Sequence, residues 1–355
     1  MNVLLRPSPM ATEATPVVAV VIPCFRVRRH ILGVLAGIGP EVAQIWVIDD
    51  ACPEASGALV LAECTDPRVV VVQHEANQGV GGAVLTGYQQ ALAAGADVIL
   101  KLDGDGQMDP ALILQFVAPI AEGRADYVKG NRFHNIEDVR AMPASRLLGN
   151  AALSFLTKLS AGYWHVFDPT NGYTAIAARV ARALPAGKIA PRYFFESDML
   201  FRLGTLNACV LDLPMQAVYG DERSNMNLLR IVPQFLGGHL RNLGKRVFYN
   251  YFLRGFSVAS LQLLLGLALL PLGAAVGVAG WWASWSSGIP ATTGTVILAA
   301  LPVLLGVQFL LSFLSFDMAA VPHRPVGPLL PPREGIAAAP LFALRGVARC
   351  GRAAA

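Results

Sequence analysis

Asp103-Gly104-Asp105 sets two carboxylates one residue apart, directly after the apolar run Val98-Ile99-Leu100-Lys101-Leu102. A strand that ends in a turn at Gly104 lets both carboxylates reach one hard cation, and Gln107 follows closely enough to add an amide oxygen. Mg2+ or Mn2+ held by one or two carboxylates completes its shell with water and substrate phosphates, where it acts as a Lewis acid on a leaving diphosphate. A bare Asp-x-Asp also occurs in surface turns. What favours the metal here is the strand end, followed by a helix that Asp109 caps and Pro110 begins.

Three more polar clusters follow apolar runs in the same way: Asp49-Asp50 after Ile48, His74-Glu75-Ala76-Asn77-Gln78-Gly79 after Gln73, and Gly130-Asn131-Arg132 after Lys129. Carboxylates, amides, glycines and an arginine at four such ends describe a site for a charged, metal-bound, sugar- or nucleotide-like ligand. Of the six histidines only His74 falls in these clusters, and it reads as a bland core residue. The runs themselves, 17–22, 44–48, 69–73, 97–102 and 126–129, are short and rich in Val and Ile and predict buried strands. Helices are predicted between them over 28–38, 54–63, 80–94 and 110–122. Such alternation means an α/β fold with a mostly parallel sheet and a ligand beyond the carboxyl ends of its strands. Further on come a helix over 142–159, a polar turn block over 167–173, a helix over 193–203 and a strand over 208–214.

Four motifs in order, Val20-Val21-Ile22-Pro23, Val47-Ile48-Asp49-Asp50, Asn77-Gln78-Gly79-Val80-Gly81-Gly82-Ala83 and Asp103-Gly104-Asp105-Gly106-Gln107-Met108-Asp109-Pro110, resemble the family 2 glycosyltransferases of the GT-A fold. Within that family the likeness is to the polyprenyl-phosphate sugar synthases. The resemblance implies a Rossmann-like GT-A catalytic domain. It places Pro23, Phe25, Asp50 and Gly79 against the nucleotide, Asp50 on the base or ribose, and Asp103, Asp105 and Gln107 on the metal and diphosphate. Arg132 would face the phosphates, and Arg146 and Asn150 fall where the group binds the acceptor phosphate. Asp168, Asn171, Glu196 and Asp198 would line the sugar site, and Arg223 with Ser224 would close over the nucleotide. The family's Pro-Ala-Tyr-Asn-Glu after the first strand is here Pro23-Cys24-Phe25-Arg26-Val27, so the acidic nucleotide contact is missing. Asp49 or Asp50 could instead cap the helix after Cys52.

The chain of 355 residues is 54% hydrophobic and only 15% charged, which excludes a disordered chain and a small disulfide-stapled domain. The imbalance is local. From Gly255 to Phe316 there is no Asp, Glu, Lys, Arg or His. The segments 256–282 and 295–316 each exceed the roughly 20 apolar residues that a membrane-spanning helix needs. Between them 281–290 reads as a Trp-rich interfacial turn without Lys or Arg. Basic residues gather outside the spans: Arg230, Arg241, Lys245, Arg246 and Arg254 before, then Arg324, Arg333, Arg345, Arg349 and Arg352 after. The positive-inside rule then puts both flanks and both termini in the cytoplasm, and the expected location is the inner (cytoplasmic) membrane, crossed by two spans. No apolar h-region precedes Pro16, so a cleaved signal peptide is not expected. Five cysteines without a C-x-x-C pair argue against a disulfide framework or a zinc site.

The expected organisation is a flexible N-terminus (1–16), a catalytic domain (17–226), amphipathic juxtamembrane helices (227–254), a two-helix hairpin (255–318) and a flexible tail (319–355). The expected ligands are a UDP- or GDP-sugar, polyprenyl phosphate, Mg2+ or Mn2+ and membrane lipid. The net charge of +4 is partly juxtamembrane and speaks for lipid headgroups over nucleic acid. Homo-oligomer formation stays open. A lipid phosphate acceptor is already ionised and needs no strong base, whereas a sugar hydroxyl would need one, with Glu196 or Asp198 the candidates. A scaffold with an inactive transferase domain is the reading from another class.

Overall fold

The structure, a computed structural model, describes residues 15–134, 144–216, 228–330 and 340–351, apart from the side chains of 144–146 and 228–231. The five early strands lie where the apolar runs predict them: β1 (Val18–Cys24), β2 (Gln44–Asp49), β3 (Val69–His74), β4 (Val98–Lys101) and β5 (Tyr127–Asn131). Helices α1 (Ile31–Ala36), α2 (Ser56–Glu63), α3 (Val80–Ala93) and α4 (Ile113–Ala121) alternate with them. The Asp109 carboxylate does cap the turn into α4, accepting from Ala111 N at 2.9 Å. Alternate residues of β1 face opposite layers: Val18, Val20 and Ile22 pack in one core, Ala19 and Val21 in the other. A sheet buried on both faces needs continuous apolar strands, which is what the sequence supplies.

The later half adds α5 (Ala144–Ala161), β6 (Thr174–Ala177), α6 (Ala178–Ala183), α7 (Phe195–Leu206) and β7 (Val210–Pro214). With a further strand β8 (Leu344–Arg349), the sheet order is β7-β5-β6-β4-β1-β2-β3-β8. Strands β4, β1, β2 and β3 run parallel, whereas β6 enters antiparallel between β4 and β5. This insertion places Lys101 and Lys129 on either side of the same residue, Thr174.

Helix α8 (Leu228–Phe248) continues into a π-helical turn at Tyr249–Leu253 and then into a hairpin of α9 (Val258–Ser287) and α10 (Thr293–Ala319). Val232, Leu236 and Leu240, four residues apart, and Phe248, two such steps further on past Gly244, form an exposed apolar stripe on α8. Its opposite side sends His239 to Ser160, Asn242 to Asp198 and Arg246 to Asp317. A helix with an apolar outside and a polar, buried inside suits a surface that is itself apolar. Both hairpin helices are long and apolar enough to cross a membrane. The first is longer than the sequence suggests, running through Trp281, Trp282 and Trp285 until Gly288 ends it at φ +69°. The interfacial turn therefore shrinks to the few residues before α10.

The tail differs from expectation. Rather than a flexible end, 319–330 and 340–351 lie against the α/β domain. Asp126 receives the backbone N–H groups of Val326 and Gly327, each at 2.7 Å. Strand β8 pairs antiparallel with β3, and Cys350 is buried behind it. The physical reason is the β3 edge, whose unpaired backbone groups recruit a partner strand. Arg246 likewise is not a membrane-surface charge, because it is buried against Asp317.

Candidate active site

The turn after β4 carries Asp103 and Asp105, both partly exposed. Asp105 Oδ1 accepts from Gln107 N at 3.0 Å, and Gly106 at φ +78° completes the turn. Asp103 Oδ1 stands 2.9 Å from the buried Lys101 ammonium. Close packing here requires Gly172, where an added Cβ would collide with Lys101 Nζ and Asp103 Oδ2. Two hard carboxylates open to a ligand fit a cation that draws its other donors from water and phosphates. They do not fit an all-protein cage: among the described residues no group of three or more His, Cys, Asp or Glu side chains could hold a metal.

Asp50 behaves differently from the expected base or ribose contact. It is 2% exposed, and its carboxylate accepts from Gln78 N at 2.7 Å and Gly79 N at 2.8 Å. His74 Nδ1 lies 2.7 Å from the same carboxylate, while its Nε2 meets Thr86 Oγ1 at 2.8 Å. Asp50 therefore shapes the loop that opens α3, where Gly79 takes φ +88°. His74 is no bland core histidine but the clamp behind this loop. Asp49 takes the capping role, accepting from Cys52 N at 2.8 Å, and burial raises its carboxyl above the ordinary range. Pro23, next to last in β1, pairs with Ile48 beside them, and Phe25 is exposed just after the strand.

Arg132 does not stand isolated at the strand end. Its Nε and Nη2 form a fork on Asp168, at 2.8 and 3.0 Å. Asn171 is also committed internally, its Oδ1 accepting from Tyr173 N and its backbone oxygen from Lys129 Nζ. Asp168 and Asn171 thus support the pocket wall; neither is open to a sugar. Arg146 lies on α5, one turn before the half-buried Asn150, on the same helix face. The Arg146 side chain, Arg223 and Ser224 lie outside the described residues.

Glu196, in the first turn of α7, reaches Lys101 at 3.6 Å. Across the floor of the site charges then alternate: Asp103, Lys101, Glu196, Lys129, Asp168, Arg132. Burial alone would pull Lys101 down, but Asp103 and Glu196 outweigh it and hold its pKa above the ordinary value. Burial likewise raises Glu196, with Lys101 and Lys129 opposing. Asp198 does not join the site. It is 0% exposed and accepts from Ala190 N at 3.0 Å and Asn242 Nδ2 at 2.9 Å, so it fastens α7 to α8 and cannot serve as a base. The two lysines were missed from sequence because each sits inside an apolar strand; a charge within such a run is the signal that could have flagged them.

Lys129 gives a direct test of this arrangement. Burial lowers its pKa to about 8, against Asp168 and Glu196, which raise it. Between that value and the ordinary 10.5 the folded protein has shed a proton that the unfolded chain still holds. Unfolding then takes up a proton, so this position's contribution to stability rises with pH across the window. The stability difference between wild type and Lys129→Met, from denaturant melts, is expected to move in favour of wild type from about pH 8 to pH 10. A pH-independent difference would refute it.

The family description Glycosyl transferase family 2 matches residues 19–184. Undecaprenyl-phosphate mannosyltransferase of Micrococcus luteus is 30% identical over 189 residues, 53% of this chain and 76% of the relative. Polyprenol monophosphomannose synthase of Mycolicibacterium smegmatis is 27% identical over 213 residues, 58% and 79% of the two chains. UDP-N-acetylglucosamine--dolichyl-phosphate N-acetylglucosaminyltransferase of Methanococcus voltae is 34% identical over 152 residues, 43% of this chain, and the match spans 60% of that relative. Among solved structures, glucosyl-3-phosphoglycerate synthase from Mycobacterium tuberculosis, in complex with Mn2+ and UDP-glucose, superposes with a TM-score of 0.50 at 20% identity, over 64% of this chain and 79% of that one. That likeness concerns the fold. With the ordered strand-end clusters, the two-faced sheet and these relatives in agreement, the chain belongs to the family 2 glycosyltransferases.

Proposed function

We propose that the protein is an inverting transferase that moves a sugar from a nucleotide-diphosphate sugar to polyprenyl phosphate at the cytoplasmic face of the membrane. The observation that carries this reading is one juxtaposition. Asp103 and Asp105 open at the carboxyl end of β4, on a floor of alternating charge that runs through Lys101, Glu196, Lys129 and Asp168 to Arg132, in a domain whose helix α8 is ion-paired to an apolar hairpin. The names of the three relatives, each a transferase to dolichyl, undecaprenyl or polyprenol phosphate, support the acceptor class. The UDP-sugar in the Methanococcus voltae name supports a UDP donor over GDP.

Asp103 and Asp105 would hold Mg2+ or Mn2+, which when bound neutralises charge on the departing nucleoside diphosphate. The protein's own residues do the rest by position and charge. A lipid monophosphate is ionised at neutral pH, so its oxygen attacks the anomeric carbon without a base. The bond to the diphosphate oxygen breaks as the new bond to phosphate oxygen forms, and in-line attack inverts the centre. Arg132, held in one orientation by Asp168, presents its guanidinium for phosphate recognition. Lys101 keeps Asp103 aimed at the donor side, and Gln78, Gly79 and Asp50 fix the loop over which the nucleotide lies.

The purified full chain, incubated with nucleotide sugars and undecaprenyl phosphate, is expected to form a lipid-linked sugar only with Mg2+ or Mn2+ present. Failure with every donor would sink the reading, and transfer to a glycan hydroxyl instead would move Glu196 into the role of base. Reporters after Trp285 and after Ala355 are expected to appear outside and inside, respectively.

A further inference from the structure

A cavity of about 230 Å³ lies where the catalytic domain meets the two inner ends of the hairpin, remote in sequence from the strand-end clusters. Its lining includes Asn207 at the end of α7, Asn250 and Arg254 from the π-helical turn and its end, and Asp317 and Ala320 from the end of α10. Asp317 is already neutralised by Arg246, with Tyr251 and Trp164 also donating to it. Arg254 is exposed and has spent one N–H on the Thr205 carbonyl. The same residue lines the cavity, just before α9 begins. Asn250 Oδ1 is buried in the same place with no hydrogen-bond partner. A buried acceptor left unpaired is destabilising, so a ligand that donates to it is favoured. The π-helical turn that presents Asn250 is itself rare, and such turns recur at functional sites.

From these features we infer that the cavity is a binding site for a phospholipid headgroup that carries a phosphate and a hydrogen-bond donor, as phosphatidylethanolamine does. The phosphate meets Arg254 and the ammonium meets Asn250 Oδ1. Both spans of the hairpin begin or end at this level, so the acyl chains run alongside them from the cavity mouth. The inference rests on the hairpin lying in a membrane. The occupant is a bulk phospholipid and not the acceptor: the cavity is walled by the Arg246–Asp317 pair and contains none of Asp103, Asp105 or Arg132.

Native mass spectrometry of the full chain, released from detergent after mixing with single lipids, tests this. Wild type is expected to retain one phosphatidylethanolamine at collision energies that strip phosphatidylcholine, whose headgroup has no donor. Arg254→Gln is expected to lower that retention about tenfold, the scale of one hydrogen bond to a charged group, with Arg254→Lys recovering part of it. Asn250→Leu is expected to abolish the preference over phosphatidylcholine. Lys245→Gln, an exposed charge change one turn before Tyr249, is expected to change nothing. Equal retention of both phospholipids, equal loss in Lys245→Gln, or displacement by one equivalent of undecaprenyl phosphate overturns the inference. Carbonate extraction of cells separates this outcome from the membrane reading: a protein that stays in the membrane pellet yet shows no headgroup preference fails only the former.

Discussion

Asp105→Ala is expected to reduce transfer by at least about a thousandfold while leaving the protein folded. The residue sits on a partly exposed turn after β4, outside both hydrophobic cores, and its Oδ1 accepts from Gln107 N. What disappears is half of the carboxylate pair, and with it the means of neutralising a diphosphate as it leaves. Asp103→Asn is a poorer test. It also strips Lys101 of its nearest counter-charge and leaves a buried ammonium facing Glu196 alone. That variant is expected to lose activity and stability together, whereas Asp105→Ala loses activity alone. The decisive measurements are rates of lipid-linked sugar formation at saturating Mn2+ beside thermal melts of each variant. A cellular phenotype of Asp105→Ala equal to wild type, together with no metal-dependent product, would leave the inactive-scaffold reading in place.

The contrast between these carboxylates shows what the sequence made legible. Strand positions were readable because Val and Ile runs ending in Asp, Asn or Gly are local signals, and β1 to β5 fall where those signals lie. Roles within the clusters were not local. Asp49 and Asp50 are neighbours of identical chemistry, yet one caps the turn at Cys52 and the other secures the Gln78–Gly79 loop through contacts 28 and 29 residues away. Glu196 and Asp198 are two apart on one helix, so they point to different sides: the first faces two lysines, the second is sealed against α8. Strand β8 escaped notice because its partner, β3, lies on the far side of the whole hairpin in sequence. A Pro- and Ala-rich tail does not announce which edge it will cover. Arg246 was counted among basic flanking residues, and its partner Asp317 was simply the first charge after the long apolar stretch.

That pair is where the second large effect is expected. Arg246 donates to both Asp317 oxygens, at 2.6 and 3.0 Å, and the two residues are 71 apart in sequence, one on the catalytic side and the other at the end of the second apolar helix. Removing one partner strands a buried charge, which costs about 3–5 kcal/mol. Arg246→Met is therefore expected to loosen the junction more than Arg246→Met combined with Asp317→Asn, which removes both charges and keeps a side-chain oxygen to accept from Tyr251 and Trp164. Limited proteolysis and melts in the same detergent distinguish them: a double variant as fragile as the single would mean that the shape of the pair, not its charge, holds the junction. The consequence reaches the chemistry through α8, because Asn242, one turn before Arg246, is bonded to Asp198 on the helix that carries Glu196. Displacing α8 at the membrane end should thus disturb the Lys101–Glu196 contact at the other. Transfer by Arg246→Met is expected to fall at temperatures where its catalytic domain still resists protease, and to return in the double variant. Loss of activity only where the domain itself unfolds would show that α8 ties the two parts together without transmitting anything to the site.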